Sequence, residues 1–94
     1  MKATVEIFSS ITCPHCHGAI KIVEEVKKER NDIEIIKHII NEEEGFERAK
    51  LFEITSVPTL IIKSPISEYI GIRGLFSKKG LNKAIDVSLG KDQF

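Results

Sequence analysis

The two cysteines of the chain stand three positions apart in Thr12-Cys13-Pro14-His15-Cys16-His17. A C-x-x-C pair supports thiol–disulfide exchange or the binding of a soft metal, and its setting decides between them. Here the pair follows the strand-like run Thr4-Val5-Glu6-Ile7-Phe8 and opens a helical pattern. The amino end of a helix presents unpaired N–H groups and a partial positive charge, which favour a thiolate and lower its pKa below the free value of about 8.5. The thiolate is the species that attacks a disulfide. Cys13, at the expected helix cap, is read as the exposed nucleophile. Cys16, almost one turn further on, is read as the resolving thiol tucked beneath it. Pro14 stiffens the intervening turn, and His15 adds positive charge or a hydrogen bond near the Cys13 sulfur.

The same residues admit other uses. A structural staple is disfavoured, because a loop with two residues between its cysteines removes little entropy from the unfolded chain. Cys13-Pro14-His15-Cys16-His17 also satisfies the C-x-x-C-H haem attachment pattern, with His38 the chief second axial ligand in a chain whose only Met is Met1. No haem-protein helix pattern accompanies it. A metal or iron–sulfur carrier using the two thiolates is the principal alternative, although Cys13, His15, Cys16 and His17 are too close in sequence to converge on one ion.

The elements that must position the pair follow from periodicity. An amphipathic helix is expected from about Pro14 to Arg30, with Ala19, Ile20, Ile22, Val23 and Val26 on its inner face. A buried strand follows over Ile33 to Ile40. Asn41 is expected to cap a second helix, with Glu42, Glu43 and Glu44 at its positive end and its close near Glu53. Thr59–Lys63 and Ser67–Ile72, separated by Ser64-Pro65, read as an antiparallel hairpin ended by Gly74. Ser77 caps a last helix carrying Leu81, Ala84, Ile85 and Leu89, stopped by Gly90. The order is β-α-β-α-β-β-α. A right-handed β-α-β crossover plus a hairpin gives an α/β domain with a mixed four-stranded sheet and three helices. Residues 1–94 form a single domain, with only the tail from Lys91 to Phe94 free to fray.

Composition narrows the partners. Fourteen Lys plus Arg balance fourteen Asp plus Glu, so there is no net charge to attract nucleic acid. The apolar runs are far shorter than a bilayer span, so no membrane partner is expected. Glu6 interrupts what would have to be the apolar core of a secretion signal, which makes the cytoplasm the expected compartment.

Three segments in order, the strand leading into Cys13-Pro14-His15-Cys16, Ile54-Thr55-Ser56-Val57-Pro58-Thr59, and Ile72-Arg73-Gly74-Leu75-Phe76-Ser77, resemble the thioredoxin and glutaredoxin superfamily. The overall look is similar to small archaeal members. The resemblance implies a thioredoxin-like fold and a thiol–disulfide oxidoreductase that needs no bound cofactor beyond its redox-active cysteines. It implies a cis Val57–Pro58 peptide beside the cysteines and a substrate-binding edge formed by Val57, Pro58, Thr59 and Gly74, on which an extended peptide pairs through its backbone. It implies substrate proteins with disulfides and an electron-donating reductase; a monomer is expected, and its small uncharged surface predicts weak, transient contacts. Two departures stand out. Thioredoxins usually carry Trp just before the first Cys and a buried Asp six residues ahead of it, where this chain has Thr12 and Ile7. Glutaredoxins usually carry a Gly-Gly and Asp arrangement for glutathione, where Gly71 and Gly74 are separated and no Asp follows closely, so glutathione use is left open. Cys-Pro-His-Cys is itself similar to the sequence of the strongly oxidising bacterial periplasmic disulfide oxidase, and two intervening residues do not set the direction.

Overall fold

The computed structural model describes residues 1–93. Its elements are β1 (Ala3–Ser9), α1 (Cys16–Glu29), β2 (Ile33–Ile39), α2 (Glu43–Leu51), β3 (Thr59–Ser64), β4 (Ser67–Arg73) and α3 (Lys78–Ser88). The strands lie in the order β2-β1-β3-β4, with β1 and β2 parallel and the other two pairs antiparallel. This is the expected mixed sheet and element order.

Side chains alternate across β1 and feed two layers. Ala3, Val5 and Ile7 pack with Leu60 and Ile62 of β3 against the inner stripes of α1 and α3. Phe8 points the other way, into a smaller cluster with Ile61, Ala49 of α2 and Phe52. α2 approaches the sheet so closely that a Cβ on Gly45 would overlap the Ile39 carbonyl, so only glycine fits there.

Several boundaries depart from expectation. α1 begins at Cys16 rather than Pro14, with His15 as its cap residue and no side-chain capping bond. Pro14 and His15 form a turn instead, and the Ala19 N–H to His15 carbonyl bond (3.3 Å) starts the helical ladder. The far end closes one residue early, because Arg30 is extended. β2 stops at Ile39, and Ile40 donates back to the Ser9 carbonyl at 2.9 Å. Asn41 does not cap α2. That position is taken by Glu42, without a side-chain bond, while the Asn41 side chain accepts the Ile11 N–H at 3.1 Å. α2 ends at Leu51, and Glu53 beyond it adopts a φ of 56°. Ser77 does cap α3, accepting the Gly80 N–H at 3.0 Å. The chain end is tied rather than frayed through Lys91 and Asp92: Lys91 donates from its backbone to the Asp86 carbonyl (2.8 Å) and from Nζ to Asp32 (3.0 Å), and Asp92 pairs with Lys83 (2.9 Å). Phe94, the last residue of the expected loose tail, lies outside the described residues.

At its carboxyl end α1 is anchored by Arg30, whose guanidinium bonds both Asp32 oxygens (2.8 and 2.9 Å), Asp86 (2.8 Å) and Asn82 (3.1 Å). These contacts hold the Asp32 carboxyl well below the usual carboxylate range, the Arg30 hydrogen bonds outweighing the upward push of burial.

Glu6, only 1% exposed, is a charge buried on the α2 face of β1. Arg48 binds it with two hydrogen bonds (2.8 and 3.0 Å), His38 lies at 2.8 Å and Lys63 at 3.2 Å. Phe52 offers its ring to the two cations, 4.8 Å from Arg48 and 5.6 Å from Lys63. Burial pushes the Glu6 carboxyl up, but the bonds from Arg48, His38 and Lys63 outweigh it and bring it from 4.5 to about 2. A depressed folded-state value means that the ionised group stabilises the fold fully above pH 4.5 and loses this contribution as pH falls towards about 2. Urea unfolding across that window should therefore show a fall in stability that Glu6→Gln largely removes. At neutral pH Glu6→Ala should cost about 2–3 kcal/mol, because it strands Arg48 and Lys63, which still reach water.

Candidate active site

Cys13 and Cys16 form a disulfide with their Cα atoms 5.5 Å apart. Cys16 continues the buried stripe Cys16, Ala19, Val23 and Val26, so the packing of α1 on the sheet turns its sulfur inward, where it is 3% exposed. Cys13 lies ahead of the helix and is partly exposed. The cap position expected for it belongs to His15. The helix starts two residues past Pro14, yet the bond to Cys16, the first helical residue, holds the Cys13 sulfur at the end of α1 where the first N–H groups lack intrahelical partners.

The segment leading to Cys13 is pinned from both sides. The Cys13 N–H donates to the Ser10 carbonyl at 3.2 Å, and Ser10 Oγ accepts the Thr12 N–H at 3.2 Å. Asn41, recruited from beyond β2, holds the Ile11 N–H. His15 is exposed and makes no side-chain capping bond, whereas His17 lines a cavity beside both cysteines. The sequence offers His17 only as the histidine of the C-x-x-C-H haem pattern or as a metal ligand, and neither reading places it beside a cavity. The signal for a place beside the cysteines is the spacing Cys16, His17 and Ile20, which sets the histidine and the isoleucine one turn apart on α1 next to the buried cysteine.

Val57, Pro58, Thr59 and Gly74 are gathered at the same end of the sheet. Thr59, at the start of β3, pairs with Phe8 near the end of β1 and with Arg73 at the end of β4. The Val57–Pro58 peptide is cis. Thr59 Oγ1 donates to the Ser56 carbonyl and the Gly74 N–H to the Pro58 carbonyl, both at 2.8 Å. Gly74 takes a φ of 74°, a conformation that a side chain disfavours.

The buried acid of the molecule lies elsewhere. Ile7 occupies the position six residues before Cys13 on the α1 face and is fully buried, while Glu6 points to the α2 face and is fully engaged there. His38, the candidate second haem ligand, is spent on Glu6 and stacks on Phe8 at 4.7 Å. Among the described residues no group of three or more His, Cys, Asp or Glu is placed to hold a metal ion, and the metal-carrier alternative gains no support. Nor is any described helix long and apolar enough to cross a membrane.

A four-stranded mixed sheet that delivers a vicinal cysteine pair to the start of its first helix, one sulfur accessible and one buried, defines a thioredoxin-fold thiol–disulfide oxidoreductase. Comparison with known proteins agrees. The chain is 39% identical over 70 residues to a thioredoxin of Methanocaldococcus jannaschii, covering 74% of this chain and 80% of the relative. It is 33% identical over 69 residues to a probable thioredoxin of Methanothermobacter thermautotrophicus, covering 70% and 76% of the two chains. The fold of a mutant thioredoxin from Halobacterium salinarum NRC-1 superposes with a TM-score of 0.82 at 18% identity, over 99% of this chain and 78% of that one. No family model matches the sequence. The chain belongs to the thioredoxin family, and its activity is thiol–disulfide oxidoreduction by dithiol exchange.

The difference in exposure is directly measurable. After reduction, brief iodoacetamide treatment followed by mass spectrometry of the digest should find Cys13 alkylated at least about tenfold faster than Cys16, since both thiolate character and access favour it.

Proposed function

We propose that the protein works in the cytoplasm as a reductase of protein disulfides, carrying electrons from a partner reductase to its substrates without a bound cofactor. The observation that carries this reading is the partly exposed Cys13 sulfur lying over a buried Cys16 at the start of α1. In the dithiol form the Cys13 thiolate attacks one sulfur of a substrate disulfide. The substrate S–S bond breaks, the departing sulfur takes a proton from solvent, and a Cys13–substrate disulfide remains. The Cys16 thiolate then attacks the Cys13 sulfur, the bond to substrate breaks, and the second substrate thiol is released. Two electrons pass to the substrate, leaving the Cys13–Cys16 disulfide for the partner reductase to reduce.

In this scheme Pro14 stiffens the turn between the sulfurs, and His15, through positive charge or a hydrogen bond, favours the Cys13 thiolate and sets the redox poise. Val57, Pro58, Thr59 and Gly74 form the substrate-binding edge. The cross-link between the Gly74 N–H and Pro58 supports treating them as one surface, on which an extended segment binds through main-chain groups. Such an edge suits brief contacts made by a monomer with many proteins. A reducing compartment keeps the pair as dithiol between turnovers. The absence of net charge argues against nucleic acid as a partner.

Cys13→Ser should abolish disulfide reduction. Cys16→Ser should still attack and accumulate a mixed disulfide with substrate, visible as a higher-mass band on non-reducing gels. Normal turnover by Cys16→Ser would replace the two-thiol scheme with a monothiol route. Equilibration with a dithiol buffer should give a potential near the thioredoxin value of about −270 mV, and a value near about −120 mV would reverse the assigned direction.

A further inference from the structure

A cavity of about 320 Å³ opens beside the disulfide, away from the Val57–Pro58 edge. It lies between the end of β1, the first two turns of α1 and the end of β2. Ile11, Ile20 and Ile39 supply its apolar walls, the two cysteines form part of its lining, and His17 stands at its side. None of residues 54–59 or 73–77 contributes to it. Among the described residues no Lys, Arg, Asp or Glu lines it. Its size lies at the lower end of the range of ligand pockets, enough to receive one large side chain.

Ile11 is the informative member. It is 75% exposed on a segment whose backbone is held by Asn41, so an apolar side chain is displayed in a fixed place next to the reactive sulfur. Because Cys13 is part of the wall, a side chain next to the cysteine that joins Cys13 in the mixed disulfide lies within reach of the cavity.

Resting on the reductase reading above, we propose that this cavity is a specificity subsite that takes an uncharged, bulky aliphatic or aromatic side chain adjacent to the substrate's cysteine. The protein therefore selects disulfides with apolar flanks over those with anionic ones. Burying an apolar side chain against three isoleucines is favourable, whereas a carboxylate placed there would lose water, meet no lysine or arginine and lie against the negative charge of the Cys13 thiolate. The same chemistry makes glutathione disulfide, with its carboxylates, a poor substrate.

The test uses two synthetic peptide disulfides that differ only in having Leu or Glu beside the cysteine, with glutathione disulfide as a third substrate and the small neutral 2-hydroxyethyl disulfide as a check on exchange itself. At about pH 8, kcat/KM should favour the Leu peptide by about tenfold or more over the Glu peptide and glutathione disulfide. Ile11→Lys, at an exposed side chain that the fold does not need, should erase or reverse that ratio. A wild-type ratio near one, or a ratio untouched by Ile11→Lys, would overturn the subsite while leaving the reductase reading in place. Failure to reduce any of the four disulfides, the neutral one included, would overturn the reductase reading and the subsite with it.

Discussion

The rotational phase of α1 on the sheet is the constraint from which the site follows. Ala19, Val23 and Val26 must face the core to cover Val5 and Ile7, and Cys16 lies on the same line of residues. Once that stripe is buried, Cys16 cannot point to solvent, and Cys13, ahead of the helix, is left on the outside. The functional inequality of the two sulfurs is thus a by-product of hydrophobic packing, which no residue near the cysteines has to enforce. It also places both sulfurs at the electropositive end of the helix, where their ionised forms are favoured.

A second consequence of alternation along β1 is that neighbouring residues serve unrelated ends. Ile7 seals the α1 layer beneath the cysteines, whereas Glu6 organises the opposite layer through Arg48, His38 and Lys63. Every buried polar side-chain atom among the described residues finds a partner, which is what a charge in so small a domain requires. The acid that the family usually places below the cysteines is therefore not displaced by one residue in space. It belongs to another layer with another task, and the chain beneath Cys16 is apolar.

Much of this was legible in the residues. The cysteine pair, the strand before it, the amphipathic stripe after it and the Ser77 cap are local signals, and local physics reads them correctly. What escaped depends on partners distant in sequence. Asn41 is a good capping residue taken alone, but it is drawn to the Ile11 N–H thirty residues away. Glu6 looked like an interruption in an apolar run because Arg48 and Lys63, which make its burial tolerable, lie far along the chain. Helix α1 starts at Cys16 because Pro14 and His15 settle into a turn, a choice between two local geometries that periodicity does not resolve. His17 was weighed only as a haem or metal ligand, since the cavity it lines is closed by Ile39 at the end of β2, far along the chain.

The two ends of α1 carry different burdens. Its carboxyl terminus is fastened to Asp32, Asn82 and Asp86 through Arg30, while its amino terminus relies on a turn of two residues whose side chains are exposed. On the roles proposed for Pro14 and His15, natural variation can rewrite the two residues and shift the oxidising strength of the pair with little penalty to the rest of the molecule. A scaffold divided in this way is evolvable: descendants can be retuned for new electron donors one substitution at a time while the framework stays intact.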